Sequence, residues 1–163
     1  KITYGHQTDI FRQIPGLCNA RFARLGGMHR NTYINSPKLL LNDLSLISDQ
    51  RIKFAGQITG VEGYVESASI GLLSGLMMYN KLKMRKQTPP PKTTAMGSLI
   101  SYITRKDHVK NFQPMNINYG LFENMDIRDI RKKPKRIRDV EKKNRIVQRA
   151  ENDLSEWLSS SFT

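Results

Sequence analysis

The segment that most restricts this chain is Arg51-Ile52-Lys53-Phe54-Ala55-Gly56-Gln57-Ile58-Thr59-Gly60-Val61-Glu62-Gly63-Tyr64. Its β-prone opening predicts a short strand ending at Gly56, and the apolar spacing that follows predicts a helix running to about Leu82. Thr59 and Glu62 fit a Ser/Thr-x-x-Glu capping box, so the helix is expected to start near Gly60. Its first amides would then face a ligand. Ala68, Gly71 or Leu72, and Gly75 recur at helical spacing, a small-residue face suited to close packing against a neighbouring backbone.

On either side the pattern is less regular. Residues 1–41 are rich in Gly, Asn and Pro, with short β-prone pieces such as Thr32-Tyr33-Ile34, and read as irregular α/β structure. Met84 to Lys92 is a polar linker containing Pro89-Pro90-Pro91, a stiff extended stretch that cannot be helical. Thr94 precedes a second helix, Ala95 to Arg105, with Met96, Leu99, Ile100 and Ile103 at core spacing. Phe112 to Phe122 alternates and is expected to be extended, ending in a loop. Asp126 to Trp157 reads as helix broken at Pro134.

The chain has 163 residues, enough for one compact domain or one piece of a larger protein. It opens on Lys1 with no apolar leader, and reads as a fragment. No apolar run reaches the length of a membrane span, and a single cysteine, Cys18, excludes an internal disulfide. A cytoplasmic protein is the expectation. The 27 Lys and Arg residues against 14 Asp and Glu give a formal charge of +13, which attracts polyanions through counterion release and points to RNA or DNA. Much of the excess lies in the tail, where Arg128 to Arg149 holds eleven basic and three acidic residues. Arg131, Lys132, Lys133, Lys135, Arg136 and Arg138 are the RNA-binding candidates.

No dinucleotide fingerprint, P-loop, nucleophilic triad or metal-ligand spacing is present, so the chain does not contain a complete active site. His29 follows a glycine pair in Gly26-Gly27-Met28-His29-Arg30-Asn31-Thr32-Tyr33, where an imidazole can stack on a planar ring or transfer a proton. Cys18 has no sequence neighbour that would lower its thiol pKa. Tyr64 and Tyr119 are aromatics able to stack on a cofactor or base.

Four longer motifs occur in order: Phe11-Arg12-Gln13-Ile14-Pro15-Gly16-Leu17, Met28-His29-Arg30-Asn31-Thr32-Tyr33-Ile34-Asn35-Ser36-Pro37, Phe54 to Ala68, and Phe112-Gln113-Pro114-Met115-Asn116. On these motifs the chain closely resembles the C-terminal part of the folate-dependent tRNA (uracil-5-)-methyltransferases of the TrmFO type, over most of residues 1–122. The resemblance implies an α/β fold: the C-terminal portion of a glutathione-reductase-like FAD-binding fold plus part of a smaller inserted domain. It also implies FAD as cofactor, 5,10-methylenetetrahydrofolate as methylene donor, NAD(P)H as reductant and uracil C5 of tRNA, or of rRNA, as acceptor.

By the same resemblance residues 1–45 belong to the inserted, folate- and RNA-facing domain and 46–122 to the FAD domain. Residues 123–163 form a basic helical tail. Gly56, Gln57, Thr59, Gly60, Val61, Gly63 and Tyr64 become the FAD contact, and His29, with Arg30 and Asn31 beside it, the residue that stacks on the folate pterin. The family's catalytic cysteines lie upstream of Lys1, so no catalytic residue is expected here and the chain alone should be inactive. Cys18 falls where family members usually carry an acidic residue. The alternatives are the related GidA/MnmG flavoproteins, which modify the tRNA wobble uridine and share a Gly-Gln-Ile-x-Gly turn, and a non-catalytic basic RNA-binding fragment. The Val61 to Ser67 continuation and Met28 to Thr32 favour the methyltransferase.

Overall fold

The computed structural model describes residues 2–26, 31–85 and 88–161. It divides into two compact units, Lys1–Asn31 and Thr32–Thr163.

The first unit is built on helix α1, Tyr4–Arg12. The helix forms because Thr3, in extended conformation, accepts a hydrogen bond from the His6 amide. The following chain is tied back by the Gly26 amide donating to Gln7 Oε1 at 2.9 Å and by Phe22, whose ring lies 5.8 Å from that of Phe11. α1 buries no residue. This helix was not foreseen in a stretch read as irregular α/β.

The second unit opens on Tyr33, whose ring meets Phe112 edge-on at 5.9 Å, and on the four-residue helix α2, Ser36–Leu39, which has Pro37 in its first turn. From Leu40 to Phe54 the chain curls through isolated antiparallel bridges, Leu40 with Leu46 and Ser45 with Lys53. The expected strand ending at Gly56 is thus a set of single bridges, and Thr32-Tyr33-Ile34 is not a strand either. Two turns explain the shortness of the pairing: Leu44 takes a left-handed φ of 65°, and Asp49 Oδ1 accepts from the Arg51 amide at 3.0 Å. Among the described residues the structure is helix-rich with isolated bridges and no extended ladder, so the strands of the expected α/β fold are not seen among them.

Three helices carry the rest: α3, Tyr64–Leu82; α4, Ala95–Thr104; and α5, Lys135–Ser161. α4 starts where the sequence places it, with Thr94 Oγ1 accepting from the Gly97 amide at 3.1 Å. Leu99, Ile100 and Ile103 bury one of its faces against Ile70, Leu73 and Met77 of α3 and against Leu44, Val61 and Phe112, with Met96 at the edge. Gly97 is required by close approach, because a Cβ there would overlap the Pro90 and Pro91 carbonyl oxygens. The proline stretch therefore runs directly over α4.

The helix predicted from Asp126 is a 3-10 turn, Arg128–Ile130, and after Pro134 the long α5. Trp157 anchors the far end of α5: the residue is 7% exposed and its Nε1 donates to Thr88 O at 2.9 Å. Ile146 is buried as well.

Candidate functional site

Residues 56–66 form a turn and a helix start, but not as the capping box would have it. Gly56–Thr59 is a 3-10 turn, closed by Thr59 Oγ1 donating to Gly56 O at 2.6 Å. Thr59 is fully buried and caps no helix. Gly60 then reverses the chain with φ 85°, and Val61 pairs in parallel with Met115. The Met115 amide donates to Gly60 O and the Glu62 amide to Met115 O, each at 3.0 Å. Glu62 is thereby engaged through its backbone, and α3 starts only at Tyr64. Its N-cap is Gly63, φ 96°, which supplies no side-chain hydrogen bond.

An uncapped N-terminus is what an anion or electron-rich edge needs. The amides of Tyr64, Val65 and Glu66 have no acceptor inside the helix, and the dipole of this 19-residue helix concentrates partial positive charge beside them. Tyr64 is 97% exposed at the same end. Glu66, the acidic residue of the first turn, folds its carboxylate back over Gly63. The donor set of free amides, with one carboxylate beside it, fits the polar edge of a ring carrying both acceptors and donors. Of the expected contact residues only Gln57 and Tyr64 are exposed and Gly63 is half-buried, whereas Gly56, Thr59, Gly60 and Val61 are buried, Val61 as part of the core. Sequence reading missed that Phe112 to Met115 pins this turn. The order of motifs along the chain holds no sign of that pairing.

The small residues of α3 were expected to pack against a backbone. Gly71 and Gly75 instead have nothing within 4 Å of where a Cβ would lie, and Val65 and Leu72 beside them are 76% and 68% exposed. Ile70, Leu73 and Met77 form the buried face.

His29 and Arg30 lie outside the described residues, and Asn31 is exposed. Cys18 is an exposed free thiol. Among the described residues no group of His, Cys, Asp and Glu could hold a metal ion, and no helix is long and apolar enough to cross a membrane.

The basic candidates gather around the start of α5. Lys133 pairs with Glu141 at 2.6 Å, and Arg138 Nη1 donates to Arg131 O at 3.4 Å. The side chains of Lys132, Lys135 and Arg136 are exposed and, among the described residues, have no ion-pair partner. Arg145 by contrast is held between Asp129 at 2.7 Å and Glu141 at 2.8 Å. These carboxylates sit below their ordinary pKa, Asp129 chiefly through the hydrogen bond from Arg145 and Glu141 chiefly through that from Lys133.

The chain belongs to the glucose inhibited division protein A family, whose model matches residues 1–86. Over nearly its whole length it is similar to proteins named "Methylenetetrahydrofolate--tRNA-(uracil-5-)-methyltransferase TrmFO". Identity to the one from Novosphingobium aromaticivorans is 48% over 160 residues, covering 98% of this chain and 33% of the relative. The Cereibacter sphaeroides protein is 50% identical over 160 residues, and the Brucella abortus protein 51% over 172 residues. The chain spans about a third of the length of these relatives.

Proposed function

We propose that this chain is the part of a flavin- and folate-dependent RNA (uracil-5-)-methyltransferase that closes on FAD through the turn at Gly56 to Tyr64. The observation that carries the reading is the uncapped start of α3 beside Gly60 and Gly63, in a chain whose relatives are named for methyl transfer from methylenetetrahydrofolate to uracil in tRNA. FAD, when bound, supplies the redox chemistry that turns a methylene unit into a methyl group, with NAD(P)H as reductant.

The residues here bind and orient. The amides of Tyr64, Val65 and Glu66 donate to the acceptor edge of the cofactor, while Gly56, Gln57, Thr59, Gly60 and Val61 set the turn that aims them. His29 stacks on the folate pterin, with Arg30 and Asn31 as its polar neighbours. Arg131, Lys132, Lys133, Lys135, Arg136 and Arg138 face RNA. The first turn of α5 has no acidic residue, so Lys135 and Arg136 stand against the helix dipole. Such placement costs about 0.3–1 kcal/mol per charge in the free protein and is relieved when phosphate arrives.

In this reading residues 1–45 belong to the folate- and RNA-facing domain, 46–122 to the FAD domain and 123–163 to a basic tail. The work is cytoplasmic, on tRNA or rRNA. The chain alone is inactive, since it contains no catalytic cysteine pair. Wobble-uridine modification of the GidA/MnmG kind is the second reading, favoured by the family model, whereas the relatives' names favour methylation.

The test is flavin absorbance of the full-length gene product that carries this chain, wild type against Gly63→Val. The wild type should purify yellow and the variant colourless with an unchanged circular-dichroism spectrum. A fully loaded variant would remove the turn from the flavin site.

A further inference from the structure

A groove runs between the proline stretch and α4, on a part of the second unit that the flavin turn does not use. Its inner end, of about 200 Å³, lies between Pro89-Pro90 and the Ile100 and Thr104 side of α4. The outer end, of about 390 Å³, reaches the loop Gly120 to Asn124. Three residues line both ends: Lys92, Ser101 and Arg105. The junction of the groove is therefore two cations and a hydroxyl.

The chemistry at that junction is available to a ligand. Lys92 is exposed and without an ion-pair partner among the described residues, and the Ser101 hydroxyl is likewise without a hydrogen-bond partner among them. Arg105 pairs with Asp107 through Nε and Nη2. A guanidinium has five N–H donors, so Nη1 remains for a second oxyanion. Against these cations stands one carboxylate of the outer lining, Glu123.

The outer end adds an aromatic surface. Phe122 lines it, and its ring lies 6.0 Å from that of Tyr119, tilted by 30°. Lys143 of α5 sits over the other aromatic of this pair, 5.3 Å from the Tyr119 ring centre. Arg149 of α5 donates to Glu123 O at 2.6 Å and to Asn124 O at 3.3 Å, and so holds the loop in place. The groove is thereby joined to the basic helix by two contacts.

We propose that this groove binds a single-stranded segment of the RNA substrate, with one phosphodiester between Lys92 and Arg105 and the adjoining base against Phe122. Two cations beside an aromatic platform are the arrangement that recognises a strand by phosphate and stacking. The outer end alone has the volume expected of a pocket for a small ligand of nucleotide size. The strand continues past Lys143 toward the free cations at the start of α5. This rests on the reading of the protein as an RNA-modifying enzyme, and it adds a second RNA contact distinct from the tail.

The test is equilibrium binding of a fluorescein-labelled uridine-rich 12-mer RNA to the full-length protein carrying this chain, over a series of salt concentrations. Lys92→Gln and Arg105→Gln should each weaken binding roughly threefold to tenfold and each flatten the log–log salt dependence by about 0.7. Phe122→Leu should weaken binding roughly tenfold and leave the salt slope unchanged, a pattern that loss of charge cannot mimic. A Lys132→Gln, Lys135→Gln, Arg136→Gln variant serves as the comparison. If it loses affinity while the three groove variants bind as wild type, the groove is overturned and the RNA reading survives. If the wild type does not bind the RNA at all, both fall. Competition by free uridine monophosphate at concentrations comparable to the oligonucleotide would also overturn the proposal, by making the groove a mononucleotide site.

Discussion

Gly60 lies against the ring of Phe112 so closely that a Cβ on it would stand 2.5 Å from Cζ and 2.8 Å from Cε1. Phe112 is itself 6% exposed and belongs to the core formed by α3 and α4. The glycine turn is therefore set by the same ring that closes the core. Gly60→Ala should destabilise by about 2–4 kcal/mol, combining a left-handed φ of 85° with overpacking against Phe112. Urea unfolding of Gly60→Ala and of Gly60→Ala/Phe112→Leu checks this. Measured against Phe112→Leu alone, the cost of Gly60→Ala should shrink by its packing share and keep its backbone share.

Lys53 and Asp43 form the one ion pair among the described residues with a nearly buried cation, at 2.7 Å, with the Lys53 side chain 5% exposed. Lys53 also donates to the Asp43 carbonyl oxygen. Burial pushes the Asp43 carboxyl up, but hydrogen bonds from Lys53 and Ser45 outweigh it and hold the group below its ordinary value of 3.8. A depressed carboxylate stabilises the fold above its unfolded pKa, and that contribution is lost as pH falls through the folded value. Thermal melts should therefore show stability falling below about pH 4, more steeply in wild type than in Asp43→Asn. At pH 7 Asp43→Asn should cost about 1–3 kcal/mol, because Lys53 is left buried with only carbonyl partners. Asp49→Asn, whose partner Arg51 has its side chain 89% exposed, should leave the melting temperature unchanged, because water screens that pair.

Trp157 ties α5 to the proline stretch by its Nε1 bond to Thr88 O, and Thr93 Oγ1 adds a hydrogen bond to Asp153 one turn earlier. Trp157→Ala should destabilise by about 3–5 kcal/mol, and Trp157→Phe by less, since a phenyl ring still fills part of the site while the N–H and the rest of the indole are lost. Hydrogen exchange should show the amides around Leu154 losing protection together with those of Thr94 to Gly97. Loss confined to α5 would show that the tail and the proline stretch unfold independently.

His29→Ala in the full-length protein should leave flavin content unchanged and reduce folate-dependent turnover at least tenfold. Absorbance at the flavin band and formation of 5-methyluridine in a purified transcript separate the two. Unchanged turnover would take His29 out of the folate site.

Much of the fold is legible in the sequence, and the exceptions have physical causes. α4 was legible because Thr94 caps it and Leu99, Ile100 and Ile103 repeat at core spacing. The end of α3 at Leu82 followed from the same periodicity. Its start did not, because Thr59 satisfies the capping pattern yet spends its hydroxyl on Gly56 O inside a 3-10 turn. A local motif cannot report that the residue will be buried. The strand read before Gly56 failed similarly, since β-prone residues form a ladder only when a partner lies alongside, and the Leu44 and Asp49 turns leave room for single bridges. The contact of Gly60 with Phe112 joins positions 52 residues apart (112 minus 60), which no local pattern encodes. The basic tail was legible as charge. That Arg145 is consumed by Asp129 and Glu141 while Lys132 and Lys135 have no ion-pair partner among the described residues needed the fold.

The central claim, that the protein carrying this chain methylates uracil in RNA, is tested most directly by quantitative mass spectrometry of 5-methyluridine. It should be measured in separated tRNA and ribosomal RNA from the source organism, with and without the gene. The account predicts that the nucleoside disappears from one RNA class when the gene is deleted and returns on complementation. Unchanged 5-methyluridine in both classes would contradict it and leave wobble-uridine modification as the better reading.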